Sequence, residues 1–161
     1  MAESGGSARA LRPISLMHSF SKLFAKCLAT RLAPKPKDIV AMNQSALIKG
    51  RAIHDNFRTV QLACRWLHSR KFPAVLIKID IAKAFDSVAW PFLLEILQHI
   101  GFSRRWTNWI SILLSTVSTK VLVNGRPERR IAHARGLRQG DPISPMLFII
   151  VMEVLNSLIR G

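Results

Sequence analysis

Acid is what this chain most lacks. Against 24 Lys and Arg residues stand 9 Asp and Glu, a formal net charge of +15. Such an imbalance concentrates polyanions around a protein and points to a nucleic-acid partner, although a solvated basic surface or a piece of a better balanced protein carries the same excess. Cysteine is scarce too. Cys27 and Cys64 form no CxxC and no Cys/His cluster, so zinc spacing is excluded. Both sit in apolar helical patterns and are expected to be reduced core thiols. His18, His54, His68, His99 and His133 show neither ligand spacing nor a Ser or Cys partner pattern, and receive no catalytic role. No apolar run approaches the roughly 18 residues of a membrane span. The best candidate, Met146 to Val151, is short and is followed by Glu153. Met1 to Arg9 lack the apolar centre of a secretory signal. No internal repeat is visible.

What is present suffices for a folded domain. A chain of 161 residues with 49% hydrophobic residues supports one core and is not a disordered composition. The cations are scattered from Lys35 to Arg138 rather than gathered in a tail, as a folded phosphate-tracking surface or cleft requires.

Phe20, Leu23, Phe24, Cys27, Leu28 and Leu32 fall at helical spacing and stop at Pro34 and Pro36. Residues 39–53 show no clean period and are expected to be an ordered loop. Asp55 is a fair N-cap for a helix to about Arg70, with Val60, Ala63, Cys64 and Leu67 on one face. After Pro73, the run Val75, Leu76, Ile77 and Ile79 predicts a buried strand that carries Lys78 and Asp80 on one side. A helix follows from Trp90 to Ile100 and ends at Gly101. Ser103 starts another, with Trp106, Trp109, Ile110, Leu113 and Leu114 in register. Val121–Val123 and Arg130–Ala132 flank Asn124-Gly125, a hairpin signal. Ser144 as N-cap and Pro145 open a last helix bearing Leu147, Phe148, Val151, Leu155 and Leu158. This order predicts an α+β domain.

Several segments suit chemistry, and each also has a plain structural role. Asp80, ending a strand, suits magnesium as an oxygen ligand; equally, it can cap a turn with Asp86 and Ser87. Asp86 can add a ligand, but Asp-Ser before an apolar helix favours a cap. Phe85 reads as core or as the floor of a sugar pocket. The glycines and prolines of Gly136–Pro145 allow close backbone approach to a phosphate or template, or simply join a hairpin to a helix. Asp141 reads as a turn residue. Arg12 suits a triphosphate by charge-assisted bonds, though a lone Arg is usually a surface residue.

Taken in order, these blocks resemble one family. Arg12-Pro13-Ile14-Ser15-Leu16, Asn43-Gln44-Ser45-Ala46 with Gly50-Arg51 and Asp55-Asn56, the Asp80 strand, Val123-Asn124-Gly125 and the Gln139-Gly140 loop are similar to the reverse transcriptase of plant non-LTR (LINE-type) retrotransposons. The similarity spans about Leu11 to Arg160. It implies a partial right-hand polymerase of fingers and palm over residues 11–161, behind a disordered leader at residues 1–10. By that resemblance Asp80 is the first catalytic aspartate and a metal ligand, with the Ile81 backbone beside it. Phe85 is the gate against a 2′-hydroxyl. Gln139 and Gly140 line the nucleotide pocket, Arg12 touches the triphosphate, and Asn43, Gln44, Gly50 and Arg51 lie near template or nucleotide. The implied cofactors are two magnesium or manganese ions. The implied partners are an RNA template, a DNA primer and deoxynucleoside triphosphates, without a membrane, and the implied compartment is the nucleus.

The 161 residues depart from the family where they end. No aromatic-Ala-Asp-Asp hairpin follows the last helix, nor a thumb, and the leader stands where a basic stretch is expected. The expectation is a polymerase fragment that does not polymerise alone, with palm strands left with open edges. The competing expectations are a non-catalytic nucleic-acid-binding relic and a decayed remnant without function.

Overall fold

The computed structural model describes residues 18–48, 50–120, 122–124 and 126–160. Helix α1 (Ser19–Leu32) buries Ala25, Leu28, Ala29 and Leu32, one face at i, i+3, i+4 and i+7. The expected stripe is turned: Phe20, Leu23 and Cys27 face solvent. Two alanines on the buried face let the helix backbone lie close to the core. Pro36 opens a single turn, α2 (Pro36–Ile39), and a chain of turns follows, as expected for an aperiodic stretch.

Helix α3 (Ile53–Ser69) starts two residues before the expected cap. Ala52 holds the N-cap position with no side-chain bond, while Asp55 sits in the first turn, where its charge suits the helix dipole. None of its residues is buried. Cys64 is exposed as Cys27 is, so neither thiol belongs to the core. The periodicity is real, but among the described residues nothing covers the face it creates.

The segment Val75–Ile79 departs from the expected buried strand. The chain there is irregular rather than strand, and Val75 is 87% exposed. A strand exists only through a ladder partner, and no described residue pairs with this segment. The apolar composition was legible; the partner that would make it a strand was not.

The core forms from later elements. A one-turn helix α4 (Ala84–Ser87) leads into α5 (Trp90–His99), which buries Leu93, Ile96 and Leu97. Gly101, at φ +92°, ends α5 in a Schellman turn: the Phe102 amide donates to the Leu97 carbonyl and the Gly101 amide to that of Gln98. Ser103 caps α6 (Arg104–Ser115), its hydroxyl accepting from the Trp106 amide. The buried face of α6, with Thr107, Ile110, Leu113 and Leu114, packs on α5.

Next come the strands β1 (Ser118–Thr119), β2 (Leu122–Val123), β3 (Arg126–Pro127) and β4 (Ile131–Ala132). β2 pairs antiparallel with β3, and β1 with β4. Asn124 takes φ +50°, as the Asn-Gly hairpin signal requires. The second strand begins at Arg126, earlier than expected. The two pairs form separate two-stranded sheets within the same hairpin.

Helix α7 (Ser144–Arg160) closes the core with Leu147, Ile149 and Ile150. Its first residue is Ser144, so the cap falls on Ile143, whose carbonyl accepts from the Leu147 amide. Leu155 and Leu158 stay exposed. One cluster joins α1, α5, α6, α7 and the buried Leu137 and Ile143; a smaller one joins Val40, Ile48 and Ile149. The expected α+β class holds as helices with two short β pairs. Among the described residues no helix is long and apolar enough to cross a membrane.

Candidate functional site

The two sequence blocks around Asp80 and Gln139 meet, and backbone bonds join them. Beyond Ile81 the chain turns at Lys83, which takes φ +51°. The Lys83 carbonyl accepts from the amides of Asp86 and Ser87, forming the turn of α4. Asp86 therefore lies inside this turn and does not cap α5, whose N-cap is Ala89. The Gly136 amide donates to the Val88 carbonyl and the Leu137 amide to the Phe85 carbonyl, both at 2.8 Å. The Trp90 indole N–H donates to the Gly136 carbonyl at 2.7 Å. Gly136 has φ +92°, and a Cβ there would stand 3.1 Å from the Asp86 carbonyl oxygen. The glycine is required twice over, by backbone angle and by space.

Past this junction the loop is fixed by its own acid. Asp141 is 5% exposed, and its Oδ1 accepts from the Ile143 amide at 3.1 Å, an Asx turn that sets up α7. Burial pushes the Asp141 carboxyl above its ordinary range, against the lowering pull of the Ile143 amide and of Arg138. Burial also lowers the Arg138 guanidinium, while Asp141 raises it, and it stays cationic. Between these fixed points Gln139 is half-buried and Gly140 is exposed at φ +92°. Phe85 stacks on Phe148 of α7, with ring centroids 4.6 Å apart and planes at 19°.

A second assembly involves the Asn43 block. Arg51 Nη1 donates to the carbonyls of Ala41 and Gln44, both at 2.7 Å, and Nη2 to that of Val40 at 3.3 Å. Gln44 Oε1 accepts from the Ala46 amide. Arg51 thus folds its own loop, turning a polar guanidinium toward backbone rather than outward. Gly50, at φ +86°, lets the chain reach this position, and no described residue stands within 4 Å of where a Cβ would lie. A cavity of about 330 Å³ lies where Asn43, Gln44, Ile79 and Ile81 face Glu153 and Asn156 of α7. Asp80 is exposed and is not among its lining residues. Arg12 lies outside the described residues, as do the leader and Gly125.

The structure therefore joins Phe85 to the Gln139 loop, and Asn43 and Gln44 to Ile81, but leaves Asp80 apart. Sequence reasoning missed Trp90, Phe148 and the looped role of Arg51. Only Trp90 carried a signal, since a half-buried indole seeks an acceptor. Among the described residues no three His, Cys, Asp or Glu side chains converge. One carboxylate and a neighbouring backbone oxygen do not make a two-ion centre.

Residues 4–161 match the family described as reverse transcriptase (RNA-dependent DNA polymerase). The chain belongs to that family. It is 32% identical over 149 residues to a retrovirus-related Pol polyprotein from the type-1 retrotransposable element R2 of Popillia japonica, covering 91% of the chain and 21% of that protein. It is 27% identical over 149 residues to the transposon TX1 uncharacterized 149 kDa protein of Xenopus laevis, covering 92% of the chain and 11% of that protein. A stretch of 39 residues is 54% identical to the uncharacterized mitochondrial protein AtMg01250 of Arabidopsis thaliana, covering 24% of the chain and 32% of that protein. These matches make it a non-LTR reverse transcriptase domain of the kind found in retrotransposon Pol polyproteins. The chain spans only a fraction of the length of the R2 and TX1 proteins.

Proposed function

We propose that the chain is the fingers and palm part of an RNA-directed DNA polymerase from a plant LINE-type retroelement, residues 11–161 forming that part behind a leader at residues 1–10. The docking of Gly136 and Leu137 on Val88 and Phe85 carries this reading, because it holds a glycine-rich loop beside an aromatic floor. The 54% identity of the short Arabidopsis stretch supports the plant origin.

In this reading Phe85, braced by Phe148, limits space at the sugar, while Gln139 and Gly140 line the nucleotide pocket. Arg12 meets the triphosphate, and Asn43 and Gln44 approach the template. Gly50 and Arg51 act on that loop indirectly by holding its shape. Asp80 with the Ile81 backbone supplies part of a site for two magnesium or manganese ions, which in a complete enzyme would activate the primer hydroxyl and stabilise pyrophosphate. RNA template, DNA primer and deoxynucleoside triphosphates are the partners, in the nucleus.

That no three His, Cys, Asp or Glu side chains converge among the described residues favours a second reading for the chain by itself, binding without catalysis. Primer extension on an RNA template with magnesium or manganese tests it. No product is expected, and extension would overturn the inactivity. A labelled RNA–DNA primer–template should bind at low salt, and failure to bind would overturn both readings.

A further inference from the structure

Resting on the reading of a nucleic-acid-binding polymerase part, we infer that the exposed cations on and beside the strand pairs β1–β4 and β2–β3 form a cradle for the phosphate backbones of a duplex, working by charge and without reading bases.

The composition is the first ground. Residues 118–135 hold Lys120, Arg126, Arg129, Arg130 and Arg135 against the single acid Glu128. All five cations are exposed. Cations presented on paired strands can contact the phosphates of a duplex from outside its grooves, which fixes position without reading sequence.

The second ground is how one cation is held. The pairs Ser118 with Ala132 and Thr119 with Ile131 set the faces of the β1–β4 section. Alternation puts Ser118 and Arg130 on one face, and Thr119, Ile131 and His133 on the other. Arg130 Nε donates to Ser118 Oγ at 2.6 Å, which fixes the guanidinium across the strand pair. The Thr119 hydroxyl and His133 Nε2 pair at 2.6 Å on the opposite face. A cation pinned at one nitrogen loses little freedom when its other nitrogens meet phosphate.

The third ground selects the partner. Residues 118–135 contain no Phe, Trp or Tyr. Proteins that grip single strands stack bases chiefly on such rings, so this surface favours contact with phosphate backbone over stacking of unpaired bases. A duplex offers denser charge, about one phosphate per 1.7 Å of axis, and asks for no stacking. The chain after β4 also runs into Arg135, bridged to Ala89, and so into the Gly136 junction. A duplex lying on the cradle would end beside the Gln139 loop.

The test is the salt dependence of binding to a labelled RNA–DNA heteroduplex by the full chain. Four variants are compared with the unaltered protein. The first neutralises the cradle, Lys120→Gln with Arg126→Gln, Arg129→Gln and Arg130→Gln. The second neutralises as many exposed cations elsewhere, Lys22→Gln with Lys26→Gln, Arg104→Gln and Arg160→Gln. The third preserves charge, with Arg126→Lys, Arg129→Lys and Arg130→Lys. The fourth is Arg129→Glu alone, which limits any effect on folding. The slope of log affinity against log salt should become shallower by about 3 in the first variant. It should stay within about 1 of the original in the second and third. The fourth should weaken binding at every salt concentration. The unaltered chain should also prefer the heteroduplex to a single strand of either kind. Equal loss in the first two variants, an unchanged slope in the first, or preference for single strands would overturn the cradle while leaving the polymerase reading intact. Failure of the unaltered chain to bind any nucleic acid would overturn both.

Discussion

Phe85 and Phe148 lie ring on ring, 4.6 Å between centroids, and so tie the segment after Asp80 to the helix after Gln139. The stack makes the aromatic expected at a sugar pocket part of the core edge as well. Phe85→Ala should destabilise the chain by about 2 kcal/mol, below the ~3–5 of a fully buried phenylalanine because the ring is half-buried. A double-mutant cycle with Phe148→Ala in urea should return a coupling of about 0.5–1.5 kcal/mol. Strict additivity would mean that the rings do not stabilise each other.

Gly136 admits no side chain without strain. Gly136→Ala combines an unfavourable φ with a Cβ pressed on the Asp86 carbonyl, and should cost about 1–3 kcal/mol. Hydrogen exchange should report the loss locally, with faster exchange at the Gly136 and Leu137 amides. A variant as stable and as protected as the original would show that the junction is not held there.

Arg51 clasps three carbonyls, and geometry rather than charge makes it fit. Arg51→Lys should lose about 1–3 kcal/mol, since an ammonium cannot reach the same acceptors together. The loss should change little with salt, as these bonds go to neutral backbone. Full stability in the lysine variant, measured by thermal melting, would refute the clasp.

Asp141 carries a pH dependence with a defined sign. Its folded-state affinity for a proton is raised chiefly by burial, so between the ordinary carboxylate range and the raised value the folded chain binds more protons than the unfolded chain. Its contribution to stability is therefore greatest below that window and declines as pH rises through it. Asp141→Asn keeps an acceptor for the Ile143 amide and should remove this decline. Urea midpoints measured across that window would check it; parallel profiles for the two proteins would contradict the assignment.

Cys27 and Cys64 are exposed and free. Both should react with an aromatic disulfide reagent in native buffer, two thiols per chain, without added denaturant. Reaction only after unfolding would return them to the core.

Helix positions were legible because they depend on neighbours in sequence. The Ser103 cap, the Gly101 stop and the Asn124 turn each follow from local backbone preference. Which face a helix buries was harder to see. The period of α1 is visible, yet Ala25 and Ala29 are covered where Phe20 and Leu23 were expected, because burial depends on what lies opposite. The same holds for α3, with a clear period and no buried residue, and for Val75–Ile79, strand-like in composition but without a partner among the described residues.

Composition and local pattern carry the chemical kinds: a basic surface, a carboxylate at Asp80, an aromatic at Phe85, and a glycine-rich turn before an apolar helix. The order of these blocks also marked the family. Which residues meet depends on how the whole chain packs. Gly136 against Asp86, Trp90 on the Gly136 carbonyl and Phe85 on Phe148 join residues far apart in the chain. Arg51 turned inward to carbonyls, a choice no pattern of charges encodes. Local preferences act within a few residues, whereas packing and long-range hydrogen bonds depend on the whole chain closing on itself, and the site is built from the latter.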